Sequence, residues 1–125
     1  MARIVFGMFP AWGHVAPTVA VAQELAARGH EVVYATHPSM ETRLEAAGLK
    51  RLRTFEWAAR GVLSQEHTRR HGFDISWFLQ VARGWPRSVF LEDLEGGTER
   101  LIEALAAWKA DILIADPLFA PGPVA

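Results

Sequence analysis

The sequence predicts a parallel, doubly wound α/β sheet, and three observations carry that expectation. Short apolar runs suited to buried strands recur at Ile4-Val5-Phe6, Val32-Val33-Tyr34 and Ile112-Leu113-Ile114. Segments with helical spacing alternate with them, as crossovers between parallel strands require. Glycines stand where two of those helices should stop, at Gly29 and Gly48.

The first run ends at Gly7, and Pro10 and Gly13 mark a turn. A helix is predicted over residues 17–28, with Pro17 in its first turn and Val19, Ala22, Leu25 and Ala26 at helical spacing. Residues 31–36 form a second strand stopped by Pro38. Ser39 is the expected N-cap of a helix whose stripe is Met40, Leu44 and Ala47. Leu52 between Arg51 and Arg53 predicts a third strand over 50–55, near a sheet edge. Residues 56–72 lack periodicity and predict a loop. Asp74 then caps a helix in which Phe78 shares a core stripe with Ile75, Leu79 and Ala82, ended by Gly84 and Pro86. A longer helix is predicted over 87–110, interrupted or kinked at Gly96 and Gly97, with Leu101, Leu105 and Trp108 inward. Residues 111–115 read as a buried strand that delivers Asp116 and Pro117 just beyond its end.

The 125 residues suffice for one domain with a sizeable core and are few for a two-domain enzyme. A hydrophobic share of 50% against 22% charged residues is the balance of a globular chain and argues against disorder. The net charge of −1 gives no support to nucleic-acid binding. Seven Arg against three acids over residues 51–90, followed by an acidic surplus to the end, describe a charge-segregated surface. Without cysteine there is no disulfide, thiolate zinc site or cysteine nucleophile, which fits a reducing cytoplasm as the expected location. The N-terminus carries no apolar signal stretch, and no apolar run is long enough for a membrane span. Five Trp exceed what a small core needs and point to a ligand site.

In open parallel sheets, ligands bind beyond the carboxyl ends of the strands. His14 follows the first predicted strand and Asp116 the last. An imidazole and a carboxylate brought together there make a general base and its orienting acid. A histidine near a helix start also serves as a cap, and an aspartate before proline also starts a turn, so spacing leaves both roles open. His67 and His71 are four apart, but two Arg stand between them and no third ligand is near, so no metal site is expected. The G-x-G-x-x-G fingerprint is absent, and the second strand runs into Ala35-Thr36-His37 rather than an acid, which argues against a nicotinamide enzyme. Gly7-Met8-Phe9-Pro10 lacks the clustered acids of a receiver-like signalling domain.

The run Gly7-Met8-Phe9-Pro10-Ala11-Trp12-Gly13-His14-Val15-Ala16-Pro17, followed by Ala26-Ala27-Arg28-Gly29-His30-Glu31-Val32-Val33-Tyr34-Ala35-Thr36, resembles the opening of family 1 glycosyltransferases of the bacterial macrolide and natural-product type. The likeness covers residues 3–48, and residues 110–116 resemble a later landmark of the same family. It implies a GT-B fold, two Rossmann-like domains facing a cleft. Residues 1–125 would then belong to the acceptor-binding N-terminal domain, incomplete and without the donor-binding C-terminal domain.

The resemblance also implies that His14 is the general base and Asp116 its orienting acid. The reaction would be an inverting, metal-independent transfer from a nucleotide-diphosphate sugar, UDP- or dTDP-linked, to a hydroxyl of a hydrophobic natural product. No cofactor is implied; the nucleotide sugar is a co-substrate met through the missing domain. Phe9 and Trp12, with Trp57, Trp77 and Trp85, are the expected walls of an acceptor pocket. Such a fragment is expected to be inactive alone and to bind a complementary fragment or self-associate through its uncovered sheet edge. The alternative is a non-catalytic acceptor-binding or interaction module working with a partner chain. Sugar transfer by a reconstituted pair separates the two.

Overall fold

Alternation along the strands decides which side chain goes to which face of the sheet. A computed structural model describes residues 1–56 and 92–117. Its elements are β1 (Arg3–Gly7), α1 (Trp12–Ala27), β2 (Glu31–Ala35), a 3₁₀ turn (Pro38–Met40), α2 (Glu41–Ala46), β3 (Lys50–Arg51), α3 (Glu92–Trp108) and β4 (Ile112–Ala115). All described strand pairs are parallel, in the order β3-β2-β1-β4. Ile4, Phe6 and Tyr34 face one way and pack with Val15 and Ala22 of α1 and with Met40, Leu44 and Leu49. Val5, Val33 and Ala35 face the other way and pack with Leu52, Phe55, and Leu101 and Ala104 of α3. Two cores on opposite faces are what a doubly wound sheet requires. Phe6 and Tyr34, directly opposite in the β1–β2 register, stack their rings at 5.1 Å.

The register also sets the edge that matters for function. Gly7 lies opposite both Ala35 and Ala115, so β1, β2 and β4 end level with one another. Met8 N–H donates to the Ala35 carbonyl at 3.1 Å and Asp116 N–H to that of Gly7 at 2.8 Å. At the other edge, Arg3 pairs with Glu31 at 3.0 Å, and the Asp111 carboxylate accepts from Arg3 N–H at 2.8 Å. Those charges close the sheet's start, away from His14.

Three helices end in the same way. Gly29 at φ +88° and Gly48 at φ +74° occupy the left-handed position after α1 and α2. His30 N–H then reaches back to the Leu25 carbonyl, and Leu49 N–H to that of Leu44. After α3, Ala110 N–H reaches Leu105 with the same pattern, but the left-handed residue is Lys109 at φ +56°. A Cβ in that conformation costs on the order of 1 kcal/mol. Lys109→Gly is therefore expected to stabilise the chain by about 1 kcal/mol, read as a higher urea midpoint at unchanged slope; a lower midpoint would contradict it.

Several sequence expectations are corrected. α1 begins at Trp12, so Pro17 lies inside the helix and not in its first turn. The proline removes the N–H that would bond the Gly13 carbonyl, and Gly13 is an exposed residue, where the loss of that bond costs least. The Thr18 hydroxyl donates to the Val15 carbonyl at 2.7 Å and shares a 2.9 Å hydrogen bond with the buried Tyr34 phenol, which ties this turn to β2. His37, not Ser39, caps the 3₁₀ turn. β3 is two residues long, because Leu52 and Phe55 both bury on the α3 side and a spacing of three needs the turn closed by Phe55 N–H on the Leu52 carbonyl. α3 runs unbroken through Gly96 and Gly97, its glycine cost offset by burial of Leu101 and Ala104. β4 is the edge of the described sheet, and Ile112 and Ile114, 46% and 37% exposed, are not the buried residues expected. The predicted loop over 56–72 and helix from Asp74 fall almost wholly outside the described residues. Among the described residues no helix is long and apolar enough to cross a membrane.

Candidate active site

Four residues link β1 to α1, and their hydrogen bonds leave them little freedom. Ala11 N–H donates to the Phe9 carbonyl at 2.8 Å across Pro10, whose fixed φ suits so tight a turn. His14 and Val15 N–H groups then both donate to the Ala11 carbonyl, which starts the helix. His14 therefore stands on the first turn of a 16-residue helix and not in the loop the sequence suggests. Ala11 offers no side-chain cap and the first turn holds no acid, so His14 is the first ionisable group on α1.

His14 Nδ1 lies 2.6 Å from Asp116 Oδ2. A carboxylate accepts, so Nδ1 donates to it, and in the neutral imidazole Nε2, on the far side of the ring, is then the nitrogen with the lone pair. The imidazole side chain is 36% exposed and the Asp116 side chain 8%. An acid held away from water behind a half-exposed base is the arrangement in which the base meets a substrate and the acid only orients it. Asp116 is placed by its backbone bond to Gly7, His14 by the first turn of α1, and the two are 102 residues apart in sequence.

The aromatic candidates fall in different places. Phe9 is buried, with its ring centroid 5.2 Å from that of His14. Trp12 is partly buried against the core, and the Arg43 guanidinium of α2 lies over its ring at 5.2 Å. Trp57, Trp77 and Trp85 lie outside the described residues, as do His67 and His71. Among the described residues no group of three His, Asp or Glu is placed to hold a metal ion. Thr18 and Tyr34, which brace the turn behind His14, are not evident from the sequence; the signal was a threonine directly after a helical proline, free to bond back to the preceding turn. Burial pushes the Tyr34 phenol above its ordinary value, against a smaller opposing effect of the Thr18 hydrogen bond, so it stays a neutral donor.

Gly13 has no conformational need to be glycine. Its φ is not in the left-handed region, and a Cβ there would meet nothing within 4 Å. Gly13→Ala is expected to raise stability by about 0.5–1 kcal/mol through helix propensity, checked by thermal or urea denaturation; a loss would show a contact that the structure lacks.

His37 follows β2 at the same edge. Its Nδ1 accepts from Ser39 N–H at 3.1 Å and lies 2.8 Å from the Ser39 hydroxyl. Burial first, and the Arg51 guanidinium second, push its pKa below the ordinary 6.5. Between the lowered and the ordinary value the unfolded chain binds more protons than the folded one, so stability rises with pH. This contribution is complete above about pH 6.5 and declines as the pH falls below it. His37→Asn, which caps without titrating, is expected to remove that part of the slope; identical pH profiles of the urea midpoint for the two proteins would refute it.

The family described as glycosyltransferase family 28 N-terminal domain matches residues 11–80, which include His14. The opening motifs resemble family 1, whereas the family that matches is numbered 28. Demethyllactenocin mycarosyltransferase of Streptomyces fradiae is 52% identical over 50 residues, 40% of this chain and 11% of its own length. 4'-demethylrebeccamycin synthase of Lentzea aerocolonigenes is 28% identical over 118 residues, 94% of this chain and 28% of its own. The matched part of the chain thus spans 11% of the length of one curated relative and 28% of the other. Among solved structures, the glycotransferase of kitacinnamycin superposes with a TM-score of 0.65 at 25% identity, covering 98% of this chain and 26% of that one. The Streptomyces sp. SF2575 glycosyltransferase SsfS6, complexed with thymidine diphosphate, has a TM-score of 0.60 at 21% identity over 99% of this chain and 35% of its own, a likeness of fold alone. The parallel sheet with helices on both faces is that of GT-B glycosyltransferases. With a match over more than half of its length, the chain belongs to the glycosyltransferase family 28 N-terminal domain family.

Proposed function

We propose that this chain is the acceptor side of an inverting transferase that moves a sugar from a UDP- or dTDP-sugar to a hydroxyl of a hydrophobic natural product. The hydrogen bond between His14 and Asp116 at the carboxyl edge of the sheet is the observation that carries the proposal. An alcohol or phenol is a poor nucleophile at neutral pH until a base takes its proton. His14 Nε2 accepts that proton as the acceptor oxygen bonds to the anomeric carbon. The bond from that carbon to the phosphate oxygen breaks on the opposite face, the configuration inverts, and the nucleoside diphosphate leaves. Asp116 holds the Nδ1–H tautomer and stabilises the imidazolium.

Trp12, Trp57, Trp77 and Trp85 are the proposed apolar walls for the acceptor, and the open space at Gly13, next to His14, leaves room for it to approach. The name of the mycarosyltransferase relative supports sugar transfer, and the thymidine diphosphate bound to SsfS6 supports a nucleotide-linked donor. The nucleotide would be held by a second domain. The experiment is a transfer assay of the chain joined to or mixed with a donor-binding domain, using dTDP- and UDP-sugars with phenolic and macrolide acceptors. Product of inverted anomeric configuration is expected. Saturable acceptor binding, followed by Trp fluorescence, with no turnover under any donor would instead mark a binding module.

A further inference from the structure

We propose that Phe9 is a positioning residue for His14, its ring fixing the imidazole orientation that keeps Nδ1 on Asp116. The proposal rests on the base assignment above, but its observations are separate. Only 4% of the Phe9 surface is exposed, and among the described residues its ring packs against the His14 ring. The two rings lie with centroids 5.2 Å apart and planes tilted by 58°, within the range of favourable edge-to-face aromatic contact.

The backbone clamps Phe9 on both sides. Met8 N–H is bonded to the Ala35 carbonyl, and the Phe9 carbonyl accepts from Ala11, the residue whose own carbonyl starts α1. The Phe9 main chain is thus held to β2 on one side and to the start of the His14 helix on the other.

A single hydrogen bond does not fix an imidazole. Rotation by half a turn about Cβ–Cγ places a carbon where Nδ1 was, which breaks the bond to Asp116 and turns Nε2 away from its direction of action. A buried ring packed against the imidazole opposes that rotation, since the swing must displace it. Asp116 therefore selects the tautomer and Phe9 the orientation, and both are needed for one productive state.

The test is nuclear magnetic resonance of the whole chain. In the unaltered protein, nuclear Overhauser contacts between the Phe9 ring protons and the His14 ring protons are expected, with a solvent-protected Nδ1–H signal at low field. In Phe9→Met, similar in volume but without a ring, the Nδ1–H signal is expected to be lost or the His14 ring signals to split into two sets. The backbone amide spectra of β1, α1 and β4 control for folding. Absence of the contacts in the unaltered chain overturns the proposal without any variant. So does a single set of His14 signals with its Nδ1–H retained in Phe9→Met. Asp116→Ala separates the layers: loss of Nδ1–H there with retention in Phe9→Met overturns the role of Phe9 alone, whereas retention in both overturns the dyad beneath it.

Discussion

Replacing His14 with alanine is expected to lower sugar transfer by about 10²–10⁴-fold, the usual contribution of a positioned general base, with little change in folding stability. The imidazole is 36% exposed and belongs to neither hydrophobic cluster, so its loss disturbs its contacts with Phe9 and Asp116 and not the two cores. The Asp116 backbone bond to Gly7 survives, which keeps the end of β4 in place. The effect should fall on kcat and spare the KM for the nucleotide sugar, because a base that meets only the acceptor contributes nothing to donor binding. Steady-state kinetics with a donor-binding domain present give both constants. A rate unchanged within twofold would remove His14 from the mechanism.

Asp116→Asn is expected to be almost as damaging, by about 10²–10⁴-fold, although it keeps the size of the side chain. An amide has a donor that the carboxylate lacks, so it can hold the imidazole as the Nε2–H tautomer, in which the lone pair faces Asp116 and not the acceptor. It also lacks the charge that stabilises the imidazolium. Because both groups act as one unit, the double variant should be no slower than His14→Ala alone. Additive losses, with the double variant slower by the product of the two factors, would show that Asp116 acts on something other than His14.

The strands at Ile4, Val32 and Ile112 and the glycines after α1 and α2 were legible because their causes are local: apolar runs, and a left-handed residue that only glycine adopts cheaply. The meeting of His14 with Asp116 was legible from topology, since parallel strands ending level bring their exit residues together. What the sequence hid depends on partners distant in the chain. Gly13 and Pro17 are local signals for a turn, yet burial of Val15 and the Thr18–Tyr34 bond carry the helix through both. Ser39 is the commoner cap by composition, but His37 reaches the Ser39 N–H first because Pro38 starts the turn directly after it. The exposure of Ile112 and Ile114 follows from β4 having only β1 as a described neighbour, which no reading of an apolar run reveals. Phe9 is an expected pocket wall by its proximity to His14 in sequence, whereas its ring contact with His14, on which the proposed positioning role rests, is visible only in the structure.

A base matters most when the acceptor holds its proton tightly, so transfer rates measured over a series of phenols of increasing acidity test the assignment of His14 most directly. With His14 present the rate should vary little along the series. In His14→Ala the loss should be largest for the least acidic phenol and should shrink steadily as the phenol becomes able to ionise unaided. A loss of the same factor for every acceptor would contradict the account, since it would make His14 a residue that binds or supports and not one that takes the proton.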